Sequence, residues 1–224
     1  MSVAKQIQEI WNELPTNVKL VAVSKFHPPE AILEAYNAGQ RIFGESKAQE
    51  LVSKQEKLPK DIQWHFIGHL QKNKIKYIVP FVAMIHSIDS VSLLQEVNKH
   101  AEKAKCKVNV LLQIHIAKED SKFGFTENEC REFLKSDIHN NFNHINICGL
   151  MGMATLTDDI SVVRSEFKYL HTFFEELKQA YFPDNDNFKE ISIGMSEDYR
   201  EAIEEGSTLV RIGSKIFGDR QYYS

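Results

Sequence analysis

Three cysteines in 224 residues, Cys106, Cys130 and Cys148, are too few for a disulfide framework, and no Cys-x-x-Cys spacing marks a zinc ribbon. They read as reduced, structural thiols of a cytoplasmic protein. Excess positive charge is missing too: 27 Lys and Arg against 31 Asp and Glu leave a net charge of −4. That balance argues against a general binder of nucleic acid or of an anionic membrane surface. No run approaches the roughly 20 apolar residues of a membrane span. Lys5, Glu9 and Glu13 punctuate the first residues, so Met1 to Glu13 reads as an amphipathic helix and not as a signal peptide. No linker, repeat or low-complexity tract divides the chain. With 42% hydrophobic and 26% charged residues, it is expected to fold as one domain with a well-buried core.

Short apolar runs alternate with helical patterns throughout. Strands are expected at Lys19 to Val23, Arg41 to Gly44, Gln63 to Gly68, Phe81 to Ile88, Lys107 to Ile116, Ile145 to Leu150, Glu190 to Ile193 and Thr208 to Ile212. Helices are expected from Pro28-Pro29 to Asn37, Ser46 to Lys57, Gln71 to Ile78 and Val91 to Ala104, the last capped by Asp89-Ser90. Thr126 and Glu129 form a capping-box pattern at the head of another. After Asp159 a long helix carries Val163, Phe167, Leu170, Phe174 and Leu177 at spacings of three and four, a stripe that should face a sheet. Strand and helix alternating in this way predict an α/β fold, a parallel (β/α)8 TIM barrel over residues 1–224. Chemistry in such barrels sits at the C-terminal ends of the strands, where Lys25, Glu45, Ser196 and Gly213 fall.

The first strand ends in Ser24-Lys25, followed by Phe26-His27-Pro28-Pro29, so an amine is delivered to a strand's C-terminal end. A lysine there is either a solvated surface residue or an imine-forming one, whose amine needs partial desolvation or nearby positive charge. Position alone leaves both open. Near the C-terminus, Gly194-Met195-Ser196 and Gly213-Ser214-Lys215 each set a glycine and a hydroxyl before a helix, with Ser196 expected to cap the helix running through Glu204. Singly these read as turns; together, after strands seven and eight of a barrel, they suggest an anion site. Arg211 ends the eighth strand beside them. It is either a salt-bridged arginine or the neighbour of a cofactor ring; beside a pyridine nitrogen its charge would oppose protonation and weaken the ring as an electron sink.

Two other chemistries have weaker support. Glu45 and Asp89 could pair as glycosidase carboxylates, although charges at strand ends are more often structural. His65 and His69 are four apart, but Gly68 and the strand-to-loop setting break the helical geometry that a metal pair needs. Packing, or a place beside a cofactor, suits His65 better.

The stretches Val21-Ala22-Val23-Ser24-Lys25, Phe43-Gly44-Glu45, His65-Phe66-Ile67-Gly68 with Leu70 to Lys74, Ser121-Lys122-Phe123-Gly124, Gly149-Leu150-Met151, Gly194-Met195-Ser196 and Gly206 to Gly218 span nearly the whole chain in order. Through them the chain resembles the pyridoxal phosphate homeostasis proteins, small single-domain relatives of the alanine racemase barrel. The resemblance implies that Lys25 forms a Schiff base with pyridoxal 5′-phosphate. It further implies that Ser196, Gly213 and Ser214 hold the phosphate, that Arg211 lies near the pyridine nitrogen, and that Gly194, Met195, His65 and Ser46 belong to the cofactor-binding set. One departure stands out: the family continues Phe-Gly-Glu with Asn-Tyr, where this chain has Ser46-Lys47. Ser46 replaces the asparagine's contacts only in part, and Lys47 adds a second amine near the rim.

A carrier or buffer of the cofactor, without robust turnover, is the function the resemblance implies; a weak amino-acid racemase is the alternative. The chain length leaves no room for the second, β-rich domain of the racemases, whose sites are completed by the partner subunit. A cytoplasmic monomer that passes the cofactor to apo-enzymes, with no nucleic-acid or membrane partner, is the corresponding expectation. Lys47, Lys72, Lys74 and Lys122 are candidate transient acceptors of the cofactor, against the simpler reading of a solvated basic face.

Overall fold

Side chains on β1 (Lys19–Val23) alternate between two environments, as strand geometry requires. Leu20 and Ala22 pack outward into the large cluster beneath the helices, whereas Val21 packs inward with Met84, Leu111, Cys148, Met151 and Leu209. Two hydrophobic layers separated by a sheet are what a barrel predicts. In the computed structural model, which describes residues 2–118 and 123–218, the strands close in sequence order, each parallel to its neighbours, with β8 returning to β1.

The order of elements is α1 (Val3–Glu13), β1, α2 (Pro29–Asn37), β2 (Ile42–Glu45), α3 (Ala48–Lys57), β3 (Gln63–Phe66), α4 (Ile75–Ile78), β4 (Met84–Ile88), α5 (Val91–Lys103), β5 (Val108–Gln113), α6 (Glu127–Lys135), β6 (Ile145–Met151), α7 (Ile160–Tyr181), β7 (Glu190–Ser192), α8 (Tyr199–Glu204), β8 (Leu209–Ile212) and α9 (Ser214–Phe217). The TIM-barrel expectation is met. α7 buries the whole expected stripe, Val163, Phe167, Leu170, Phe174 and Leu177, and side chains of this size contribute about 2 kcal/mol each when withdrawn from water. The Thr126–Glu129 capping box closes in both directions, and Ser90 caps α5 by accepting from the Leu93 amide.

Departures from the expected elements are local. The segment from Gln71 opens as a 3-10 turn over Lys72–Lys74 before α4 begins. β4 starts at Met84 and not Phe81, because the Phe81 and Val82 amides turn back onto the Ile78 carbonyl at 3.1 and 2.9 Å. Ser196 does not cap α8. The chain makes a turn through Met195 to Asp198 first, the helix begins at Tyr199, and the Ser196 hydroxyl is used elsewhere.

Candidate functional site

Inward positions of β1 run Lys19, Val21, Val23, and the next residue of that parity, Lys25, follows in a turn at the C-terminal mouth of the barrel, partly buried. The turn is tight: Phe26 takes a φ of +67°, the left-handed region that bulky residues avoid, and the His27 amide donates to the Ser24 carbonyl at 3.1 Å. His27 is buried and stacks on Phe217 with ring centroids 5.0 Å apart. Burial, and secondarily the Lys54 charge, lowers its pKa. The turn that carries Lys25 is thereby fastened to α9.

Gly213 lies at the other side of this junction. A Cβ placed on it would stand 3.1 Å from the Val23 carbonyl and 3.3 Å from the Val23 Cβ, so the end of β8 presses against the end of β1. The Gly213 amide donates to the buried Ser196 hydroxyl at 3.2 Å, and Ser214 is the first residue of α9. On the Ser196 loop, Gly194 has φ +89° and packs so closely on α8 that a Cβ would lie 2.6 Å from that of Ala202. The Met195 amide donates to Asp198 Oδ1 at 2.5 Å while the Met195 side chain stays exposed. Sequence reading and structure agree in bringing Lys25, Ser196, Gly213 and Ser214 into one neighbourhood.

Arg211 points into the barrel and is 4% exposed. One terminal nitrogen, Nη1, donates to both the carbonyl and the hydroxyl of Ser192 at 2.7 Å, and Nη2 donates to the Gly152 carbonyl at 3.0 Å. Burial brings its pKa down to about 10, which leaves it a cation at neutral pH. From Ser192 the chain of polar groups continues to His86 Nδ1 at 2.9 Å, and from His86 Nε2 to His65 Nδ1 at 2.8 Å. Burial lowers the pKa of both imidazoles, that of His65 to about 3 with Lys19 contributing, so they are neutral. His65 therefore joins Arg211 through a buried polar chain across the barrel interior.

Ser46 follows β2, whose Gly44 pairs with Val23 of β1. Its backbone is pinned by Gly68, where a Cβ would stand 2.4 Å from the Ser46 carbonyl oxygen. Lys47 is exposed, with its Nζ 4.8 Å above the Phe26 ring centroid. Ser121 and Lys122 lie outside the described residues.

Glu45 is fully buried on the helix-facing side of β2. It accepts from Ser24 Oγ at 2.6 Å and from Lys54 Nζ at 2.7 Å, while its Oε2 has no hydrogen-bond partner. Its carboxyl is pushed up to about 7 by desolvation, against the pull of the Lys54 charge. Walled in this way, Glu45 is not placed to pair with Asp89, which contacts His69 at 3.2 Å. His69 in turn stacks on Phe123, away from the His65–His86 pair. Among the described residues no group of three or more His, Cys, Asp or Glu could hold a metal ion.

Sequence reading missed Ser192, His86, Gly152, His27, Glu50 and Lys54. The inward parity of His86 with Met84, and the i,i+4 spacing of Glu50 and Lys54, are the signals by which three of them could have been found.

Residues 2–221 match the family model of the alanine racemase N-terminal domain. The chain is 38% identical over 205 residues to the pyridoxal phosphate homeostasis protein of Aquifex aeolicus, covering 91% of this chain and 88% of that one. It is 41% identical over 210 residues to the Pasteurella multocida protein of the same name, with coverage of 92% and 88%. PipY of Synechococcus elongatus is 35% identical and superimposes with a TM-score of 0.91 without PLP and 0.88 with PLP bound, each over 96% of this chain and all of PipY. An alanine racemase of Clostridium difficile, at 15% identity and a TM-score of 0.80, covers all of this chain with 60% of its own length and shares the fold. The chain belongs to the pyridoxal phosphate homeostasis protein family, built on the alanine racemase N-terminal barrel.

Proposed function

We propose that this protein binds pyridoxal 5′-phosphate at the mouth of its barrel and carries or buffers it, with Lys25 as the covalent attachment point. The observation that carries the reading is the junction of β1 with β8. Gly213 against Val23, Ser196 on the Gly213 amide, and His27 on Phe217 hold an amine-bearing turn and an N–H-rich turn side by side, next to a buried guanidinium. A primary amine, amides and hydroxyls fit for a phosphate, and a buried cation suit a phosphorylated aldehyde.

When bound, the cofactor supplies an aldehyde that condenses with a primary amine. The chain's own groups divide the remaining work. The Ser214 amide and the Ser196 hydroxyl, which the Gly213 amide orients, would receive the phosphate; Gly194 and Met195 shape the loop that presents Ser196. Arg211 would stand beside the pyridine nitrogen and, having donors only, would offer a protonated nitrogen no acceptor and oppose its protonation. Ser192, His86 and His65 keep Arg211 in place, and Ser46 lines the rim. A ring kept unprotonated is a poor electron sink, which supports carriage over turnover. The weak-racemase alternative draws on the alanine racemase N-terminal family model and on fold likeness at 15% identity.

No helix among the described residues is long and apolar enough to cross a membrane. A cytoplasmic, monomeric carrier that acts as one domain and delivers the cofactor to apo-enzymes is the corresponding proposal. The test is an absorption spectrum of the purified protein after addition of pyridoxal phosphate, then borohydride reduction and peptide mapping. A visible band, trapped on the Lys25 peptide, is expected; absence of any band removes the reading.

A further inference from the structure

The turn that carries Lys25 is gripped from behind by α3. Lys54, 5% exposed, points its ammonium at three oxygens at once: the Ser24 carbonyl, Glu45 Oε1 and Glu50 Oε1, each at 2.7 Å. Glu50 Oε1 also accepts from the Phe26 amide at 2.7 Å. Two α3 side chains thus hold the backbone on both sides of Lys25, the carbonyl before it and the amide after it. Between these holds lies the left-handed Phe26, a conformation that costs about 1 kcal/mol or more for a non-glycine residue and persists only where its surroundings enforce it. The Ser24 amide donates to the Gly44 carbonyl at 3.0 Å, and β1 itself ends at Val23, just before the turn.

We propose that Glu50 and Lys54 are positioning residues: they clamp the Ser24–Lys25–Phe26 turn in its left-handed form and thereby set where the Lys25 amine stands. The inference rests on Lys25 being the attachment point. Glu50 provides the acceptor for the Phe26 N–H, and Lys54 neutralises Glu50 while tying the Ser24 carbonyl to the same point. A lysine held on a clamped turn meets the aldehyde with its orientation already set, which lowers the entropic cost of forming the covalent link.

The experiment compares wild type with Glu50→Ala, Glu50→Gln and Lys54→Met in two measurements. One is hydrogen exchange at the Phe26 amide in the free protein; the other is pyridoxal phosphate affinity read from the visible band. Glu50→Ala should speed Phe26 exchange and weaken affinity by about tenfold each, the factor that goes with losing one charge-assisted hydrogen bond. Glu50→Gln keeps an oxygen for the Phe26 amide without its charge and should recover part of both losses. Lys54→Met should loosen the same amide and, because buried Glu45 loses its counter-charge, the end of β2 with it. Unchanged Phe26 exchange and affinity in Glu50→Ala overturn the proposal, as does equal loss in Glu50→Gln. If wild type takes up no pyridoxal phosphate, the cofactor reading fails, while the exchange comparison still decides whether the clamp exists.

Discussion

Arg211 grips Ser192 twice through a single nitrogen, donating from Nη1 to the carbonyl and to the hydroxyl, both at 2.7 Å. A guanidinium has no acceptor, so the Ser192 hydroxyl accepts from it and keeps its own proton to offer His86 Nδ1, in the tautomer that accepts it. His86 must then donate through Nε2 to His65 Nδ1, and the tautomers of both rings follow from the arginine. Ser192→Ala breaks this order at its centre. It strips one acceptor from Arg211 and the donor from His86, and buried groups left without partners cost about 1–3 kcal/mol each. The urea midpoint should fall accordingly; an unchanged midpoint would mean that the chain re-pairs without the hydroxyl.

Two buried titrations oppose each other in the pH dependence of stability. The His65 pKa falls from 6.5 to about 3 in the folded protein, so the unfolded chain takes up a proton first as pH drops through 6.5, and stability is lost from there down to about 3. The Glu45 pKa moves the other way, from 4.5 to about 7, so the unfolded chain releases its proton first and stability is lost as pH rises across that interval. A shift of that size is worth about 3 kcal/mol. Glu45→Gln should therefore steepen the net rise of unfolding free energy with pH between 4.5 and 7, by removing the term that opposes it. His65→Asn, which keeps an acceptor near the Nδ1 position, should flatten the acid limb. Urea unfolding free energies across this range test both; slopes identical to wild type would mean that neither group titrates differently on folding.

Much of the barrel was legible because its cues are local. Apolar periodicity marked α7, the Thr126–Glu129 pair marked α6, and glycine with hydroxyl marked the turn after β8. The Ser196 cap was misjudged because a hydroxyl near a helix start has two possible uses, and the closeness of β8, which supplies the Gly213 amide, is invisible in a linear pattern. The buried polar chain was hidden for the same reason: His86 and Ser192 are 106 residues apart, and only barrel closure brings them within 2.9 Å. Glu45 was seen as a strand-end carboxylate; its capture by Lys54 depends on which face of β2 it occupies.

Lys25→Arg separates covalent attachment from recognition. The guanidinium keeps a positive charge on a long stem but stays protonated and does not condense with an aldehyde as an amine does. The visible band should vanish while weak, reversible binding survives through Ser196, Gly213 and Ser214, displaceable by inorganic phosphate. Persistence of a borohydride-stable adduct would transfer the attachment to another amine. Lys47, whose Nζ lies 4.8 Å above the Phe26 ring, would be the first peptide to examine.

Two glycines at the mouth should respond differently to one added methyl. At Gly68 the new Cβ would lie 2.4 Å from the Ser46 carbonyl oxygen and 2.7 Å from its Cα, so backbone must move and neither strand end is free to do so. Gly68→Ala should cost about 2 kcal/mol or more, in the range of overpacked cores, and lower the unfolding midpoint. At Gly213 the nearest atom would be the Val23 carbonyl oxygen at 3.1 Å, a contact relieved by a shift of a few tenths of an ångström. That shift separates β8 from β1 and displaces the amide now bonded to Ser196. Gly213→Ala should therefore leave the midpoint within about 1 kcal/mol of wild type while weakening pyridoxal phosphate uptake. If Gly213→Ala loses stability and keeps its affinity, the junction of β1 and β8 is a packing contact and the phosphate is held elsewhere.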